Sequence, residues 1–210
     1  MRASHLNWAL SAPPKVRDLC MNEDNIKRAI SNSSKSLLSL SEAVKSFKFP
    51  KPVEFEFETP KLNKNYIKDL LRSVPAGYAK ALADTDFIYI FEVRNSNDNI
   101  QAEMFDHLTC ARQEQHVKDV KKDYCRINHA NSKYLYVGRS KKLRSRLNQH
   151  LGAENGGLFA MHLSRWSTQT NVKIKVSYYQ LDNEDNLLVQ ALEDGLWDEL
   201  KPMFGRKGDK

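Results

Sequence analysis

The segment KYLYVGRSKKLRSRLNQHLG, residues 133–152, changes character twice within twenty positions. Leu135, Tyr136 and Val137 form a short apolar run that stops at Gly138, and five of the eight residues from 139 to 146 are Arg or Lys. Leu143, Leu147 and Leu151 then recur at helical spacing. The pattern predicts a strand over 134–138 feeding a helix over 140–151, with Ser140 as its cap and Gly152 as its stop. The three leucines would face a core, while Lys142, Arg146 and His150 form a neighbouring stripe at i, i+4, i+8. Gly138, without a side chain, lets another backbone or a phosphate come close. A solvated basic face accounts for such a run as readily as an anion site does.

Working outward, DFIYIFEV predicts a buried strand at 87–93, and the alternating NVKIKVSYYQL a third strand at 172–181. Between the first two strands lies a polar insertion, 94–132, with a helix from about residue 99 to 126. GLFAMHLSRW (157–166) reads as a shorter helix, and the segment from Asp182 to Pro202 as a long capped one ended by the proline. Residues 84–210 thus predict an α+β domain, a small three-stranded, mainly antiparallel sheet flanked by helices. Residues 1–83 read as a helical and extended arm. Residues 1–21 are loose, and Ile26, Ile30, Leu37, Leu40, Val44 and Phe47 suggest one or two amphipathic helices interrupted by serines. VEFEFE (53–58) alternates as a short edge strand, and two short helices follow around 63–74 and 76–84.

The chain has 210 residues, 40% of them hydrophobic, enough for one modest core. A net charge of +7 and a pI near 9.2 point to a polyanionic partner. No apolar run approaches the roughly 18 residues of a membrane span, and LNWALSA (6–12) is too short and polar for a signal peptide. Three cysteines without a disulfide framework fit a reducing cytoplasm. In the last helix Glu193 shares an i, i+4 line with Val189 and Trp197. A carboxylate between apolar neighbours serves either a core-edge ion pair with Lys or Arg, or chemistry.

The ordered set Phe87-Ile88-Tyr89, Tyr136-Val137-Gly138, Arg146, His150 and Glu193 before Leu200-Lys201-Pro202 resembles the GIY-YIG nuclease domain, over roughly residues 84–210 and in a restriction-endonuclease-like form. The resemblance implies a metal-dependent endonuclease acting on DNA. Tyr89 and Tyr136 would flank the scissile phosphate, Arg146 would neutralise it, His150 would assist proton movement, and Glu193 would hold one divalent metal, Mg²⁺ or Mn²⁺. Those residue types suit the chemistry. A phenol, pKa about 10, is a base only where cations lower it, and Arg139, Lys141, Lys142, Arg144 and Arg146 would provide that field. A guanidinium fork matches phosphate, and Mg²⁺ needs only one or two carboxylates beside substrate oxygens and water. Compact size favours a restriction or defence role. A repair or mobile-element nuclease, or a nucleic-acid binder on the same fold with catalysis lost, are the alternatives.

Three departures stand out. Phe87 replaces the first glycine, Tyr89 and Tyr136 lie 47 residues apart where the family keeps its two triplets close, and Gly205 stands where an asparagine is usual. Arg206 or Lys207 would then supply the missing support and contact DNA. In the insertion, His107, Cys110, His116, Cys125 and His129 include the ligand types for zinc, with Cys110, His116, Cys125 and His129 the candidate set, but their spacing matches no standard site. A cytoplasmic cysteine is more commonly a small buried hydrophobe. Lys118, Lys121, Lys122 and Arg126 are candidates to line a DNA groove. The arm carries no chemical motif, and wrapping the domain, a homodimer contact and DNA reading all stay open for it.

Overall fold

A computed structural model of the chain describes residues 23–76, 84–94, 98–118, 124–153 and 159–208. The chain divides into two compact units, residues 1–41 and 42–210. The described part of the first is helical and belongs to α1 (Glu23–Ser46), a single continuous helix with no buried residue. Its serines do not break it, and hydroxyls such as Ser36 Oγ donate back to a carbonyl one turn earlier, here Asn32 O at 3.1 Å. Ile26, Ile30, Leu37 and Leu38 remain exposed along it.

The second unit runs β1 (Val53–Glu58), α2 (Lys64–Leu70), β2 (Thr85–Val93), α3 (Asp98–Val117), β3 (Tyr134–Ser140), α4 (Leu143–Leu151), β4 (Lys173–Asp182) and α5 (Asn186–Leu200). The sheet has four strands in the order β1-β4-β2-β3, every neighbouring pair antiparallel. The expected three strands are present, and the fourth is VEFEFE, a segment expected to belong to the arm. Phe55 and Phe57 pair opposite Val176 and Ile174. The alternate positions form ion pairs, Glu54 with Lys175 at 3.2 Å and Glu56 with Lys173 at 2.5 Å. Local alternation showed a strand, but its partner lies some 120 residues along the chain, beyond any local pattern.

β2 is central and buried at nearly every position, so it reads as a continuous apolar run. Phe87, Tyr89, Phe91 and Val93 belong to the main core with Ile67 of α2, Met104 and Leu108 of α3, and the leucine stripe of α4. α5 lies against β2 and β3 and buries Leu188, Val189 and Leu192. Asp185 caps α5 by accepting from the Leu187 and Leu188 amides, and the helix ends before Pro202 as expected.

Several boundaries shift. α4 begins at Leu143, not 140. Ser140 ends β3, and its Oγ accepts from the Lys142 amide at 3.0 Å in a turn before the helix. Gly152, at φ 91, closes α4 as predicted. α3 stops at Val117 instead of near residue 126, and Tyr124 and Ile127 instead form bridges to Ala160 and Phe204. The expected helix at 157–166 is reduced, among its described residues, to one 3₁₀ turn, Leu163–Arg165. The loose arm 1–21 and most of the short helix expected at 76–84 fall outside the described residues. No described helix is long and apolar enough to cross a membrane.

Candidate active site

In the β2–β3 ladder Tyr89 sits opposite Gly138, and Phe91 opposite Tyr136. Alternation along a strand then places Tyr89, Tyr136 and Gly138 on one face of the sheet. The two tyrosine rings lie 3° from parallel with centroids 6.1 Å apart. Gly138 is what admits them, since a Cβ there would stand 2.7 Å from Tyr136 Cε1 and 2.8 Å from the Tyr89 hydroxyl. The other side of the Tyr136 ring meets Gly205, at φ 108, where a Cβ would come within 2.8 Å of Cε2. Tyr136 therefore stands in a slot walled by glycine backbone on both sides. Gly205 is held there by its amide on Arg126 O at 2.8 Å and by Asn128 Nδ2 donating to its carbonyl at 2.9 Å. The asparagine expected at 205 would clash with the ring, and an amide reaches this turn from residue 128 instead.

The buried leucines of α4 bring Arg146 and His150 to the same place. Arg146 donates from Nη2 to Tyr136 Oη at 3.4 Å and to Phe159 O at 2.9 Å, and from Nη1 to Gln149 Oε1 at 2.9 Å. Burial works against its charge, but the two phenols outweigh that and hold its pKa above the usual range. Burial pushes both tyrosines upward, with Arg146 opposing, so each is a neutral phenol at neutral pH.

His150 does not open onto the surface as the sequence stripe implied; it is fully buried, and Lys142 is exposed at the other end of the row. Burial, reinforced by Arg146 and His162, drives the imidazole pKa well below its usual value. The Met161 amide donates to Nδ1 at 3.3 Å, so the neutral ring carries its proton on Nε2, which lies 3.1 Å from Tyr89 Oη. His150 is thus a donor to Tyr89 and cannot take the phenol's proton in this tautomer.

Glu193 is buried, and its Oε2 lies 3.3 Å from Arg139 Nε. Arg139 also donates to Asn186 Oδ1 at 2.8 Å, tying β3 to the start of α5. The core-edge ion pair therefore exists, with Arg139, a candidate DNA contact, as the partner. A cleft of about 690 Å³ collects Tyr89, Tyr136, Arg139, Arg146, Glu193 and Arg206 along its walls. Sequence reasoning missed Arg112 of α3, which lines the cleft and donates to Cys125 O at 3.1 Å. Only the length of the insertion hinted at its reach. Of the insertion's candidate groove residues, Arg126 reaches the cleft and Lys118 pairs with Glu114 at 3.3 Å. Lys121 and Lys122 lie outside the described residues.

The remaining basic candidates divide. Arg206 lies over the Phe159 ring at 5.9 Å on the cleft wall. Lys207 is paired with Asp198, and Lys141 stands 3.8 Å from Asp86. Arg144 has a structural role in this state: Nε donates to Val74 O at 2.7 Å and Nη2 to Arg72 O at 3.2 Å. Its guanidinium fastens α4 to the 72–75 segment and does not line the tyrosine cleft.

The candidate zinc set does not assemble. Cys110 is exposed on α3, Cys125 is buried with its thiol pushed by burial up to about 12, and His129 packs on Trp197. Among the described residues no three metal-ligand side chains come together. A site of the Mg²⁺ type asks less, since one carboxylate with water and substrate oxygens can hold that ion. Glu193, the one carboxylate among the described cleft residues, meets that requirement.

A family model described as the GIY-YIG catalytic domain matches residues 124–207. No curated protein and no solved structure matches the chain. Tyr89 lies outside the matched span, and the β2–β3 register returns it to the side of Tyr136.

Proposed function

We propose that this chain, which belongs to the GIY-YIG nuclease superfamily, is an endonuclease that hydrolyses DNA phosphodiesters in the Tyr89–Tyr136 cleft. The observation that carries the reading is the convergence of two phenols, the Arg146 guanidinium and one carboxylate on a single cleft. The scissile phosphate lies between the phenols, with Arg146 exchanging the Phe159 carbonyl for a phosphate oxygen. Tyr89 is the general base. Its hydroxyl accepts from His150 Nε2, an interaction that strengthens when the phenol becomes phenolate. The Tyr89 phenol first loses its proton to solvent; the phenolate then takes a proton from water, the water oxygen bonds to phosphorus, the P–O3′ bond breaks, and the 3′-oxygen collects a proton from solvent. Tyr136 and Arg146 hold the phosphorane oxygens. Glu193 would hold a divalent cation, Mg²⁺ or Mn²⁺, which would supply positive charge to offset the negative charge that develops in the transition state.

A restriction or defence role is the biological assignment we favour, because the insertion between β2 and β3 brings Arg112 and Arg126 to the cleft wall, where they can add contacts to DNA beside the cut. Incubation of the purified protein with supercoiled plasmid and Mg²⁺ tests both statements. Cleavage leaving 5′-phosphate and 3′-hydroxyl ends is expected, and ends that map to one recurrent sequence support the restriction role. Wild-type protein that cuts no duplex, single-stranded or branched DNA with Mg²⁺ or Mn²⁺ overturns the nuclease reading.

A further inference from the structure

A second cavity, of about 640 Å³, adjoins the tyrosine cleft and shares Arg126, Arg206 and Gly208 with it. Its remaining walls include His129, Trp197 and Lys207. Three separate segments build it: the end of the insertion, the last turns of α5, and residues 206–208 after it. The His129 and Trp197 rings lie 5.7 Å apart, tilted by 59°. His129 is exposed and Trp197 half-buried, so both present ring surface at the wall instead of disappearing into the core. Arg126 and Arg206 are exposed at the seam between the two cavities.

Cations at a seam, with aromatic faces beyond them, match a nucleotide in both its parts. The arginines suit a phosphate, and an indole with an imidazole suits the π-face of a base. A base paired in a duplex already has stacking partners above and below and gains little from new ones. An unpaired base has lost them, and exchanges little to leave its strand. We propose that this cavity is a base-binding subsite, in which Arg126 and Arg206 hold the phosphate next to the scissile one and an unpaired base lies against Trp197 and His129. The inference rests on the nuclease reading of the adjoining cleft and adds a substrate class to it, DNA with an unpaired nucleotide beside the cut.

Affinity for a twelve-nucleotide oligothymidylate and for an abasic strand of the same length tests it, because the two carry the same phosphates and differ only in bases. Stacking of one base is worth about 5- to 150-fold in affinity, so the wild type should prefer oligothymidylate by about that factor. His129→Ala, at an exposed position, and Trp197→Ala should shrink that preference without changing the dependence of affinity on salt. His129→Phe and Trp197→Phe, which keep a ring, should restore it. Arg126→Ala and Arg206→Ala should instead weaken both strands alike and flatten the log–log salt slope by about 0.7 for each phosphate that is no longer neutralised. A wild type that binds both strands equally, or ring-deleted variants that keep the full preference, overturns the subsite while plasmid cleavage leaves the nuclease reading standing. A wild type that binds neither strand at low salt and leaves plasmid uncut overturns both.

Discussion

Glu193→Gln separates a metal ligand from an ion-pair partner, and the structure fixes how large each effect should be. The carboxylate faces Arg139 at 3.3 Å, with side chains 9% and 22% exposed respectively. At that distance and an effective dielectric of about 20, the attraction is about 5 kcal/mol before desolvation and screening. Most of it offsets the burial of the two charges. The glutamine keeps the shape and an acceptor oxygen, and Arg139 keeps Asn186 Oδ1 at 2.8 Å. The net loss of stability should therefore be about 1–2 kcal/mol, a Tm drop of roughly 2–8 °C in a chain of this size. A domain with the usual reserve of about 5–15 kcal/mol stays folded, so the folded fraction barely changes. Cleavage, by contrast, should fall at least about 10²- to 10³-fold, the scale for losing one preorganised charge at the reacting group. Arg139→Gln is the control: it breaks the same pair but leaves the carboxylate, and freed of its competitor Glu193 should need less Mg²⁺ for half-maximal cleavage. The assay is plasmid nicking over a Mg²⁺ titration beside a melting curve. Glu193→Gln protein that melts within this range and cuts at the wild-type rate refutes the carboxylate's role. Equal losses in the two variants would reduce Glu193 to Arg139's anchor.

Three further outcomes follow from the site. Because burial raises the Tyr89 phenol, the reactive phenolate is scarce at neutral pH, and log kcat should climb with a slope approaching one between about pH 6 and 9; Tyr89→Phe should lose at least about 10²-fold and the slope with it, and a flat wild-type profile would exclude Tyr89 as the base. His150 is held neutral with its pKa depressed in the folded state, so below about pH 6.5 the unfolded chain binds a proton that the folded one refuses; stability is then full above that pH and falls by up to about 1.4 kcal/mol per unit below it, a dependence that His150→Gln should lessen in melts between pH 7.5 and 5. Arg144→Ala should lower Tm by removing its two bonds to the Arg72 and Val74 carbonyls, about 1–2 kcal/mol, while leaving the salt slope of DNA binding unchanged; a flattened slope would return Arg144 to the DNA surface.

Much of the site was legible because β-strand alternation and helical spacing are local rules. Tyr136 and Gly138 fall two apart, Arg146 and His150 four apart, and each pair follows from its own element. What local rules do not carry is depth. The stripe Lys142–Arg146–His150 reads as one cationic row, yet it runs from solvent to core, and its last member is a buried neutral donor. Arg139 and Arg144 look alike in a basic run, but one reaches Glu193 on α5 and the other the carbonyls at 72 and 74, partners far off in sequence. VEFEFE was visible as a strand and invisible as a member of this sheet for the same reason. Arg112 had no motif to mark it, since only the path of the insertion places it at the cleft.

The glycine slot around Tyr136 also governs how fast that ring can turn. A phenol rotates by 180° about its Cβ–Cγ axis only when its neighbours draw back, and here they are glycine backbone at both ring edges and the buried His150 ring, its centroid 4.2 Å away. One wall is β3 itself, and the other is the 203–205 turn, stitched to Tyr134 and Leu135 by the Met203 and Phe204 amides at 2.9 Å each. Turnover of the ring thus requires this close-packed backbone and the buried imidazole to give way together. In solution, the two ortho and two meta positions of Tyr136 should give four separate NMR signals, whereas an ordinary surface tyrosine averages them to two. The temperature at which those signals merge is then a gauge of how firmly the packing around Tyr136 grips the active site.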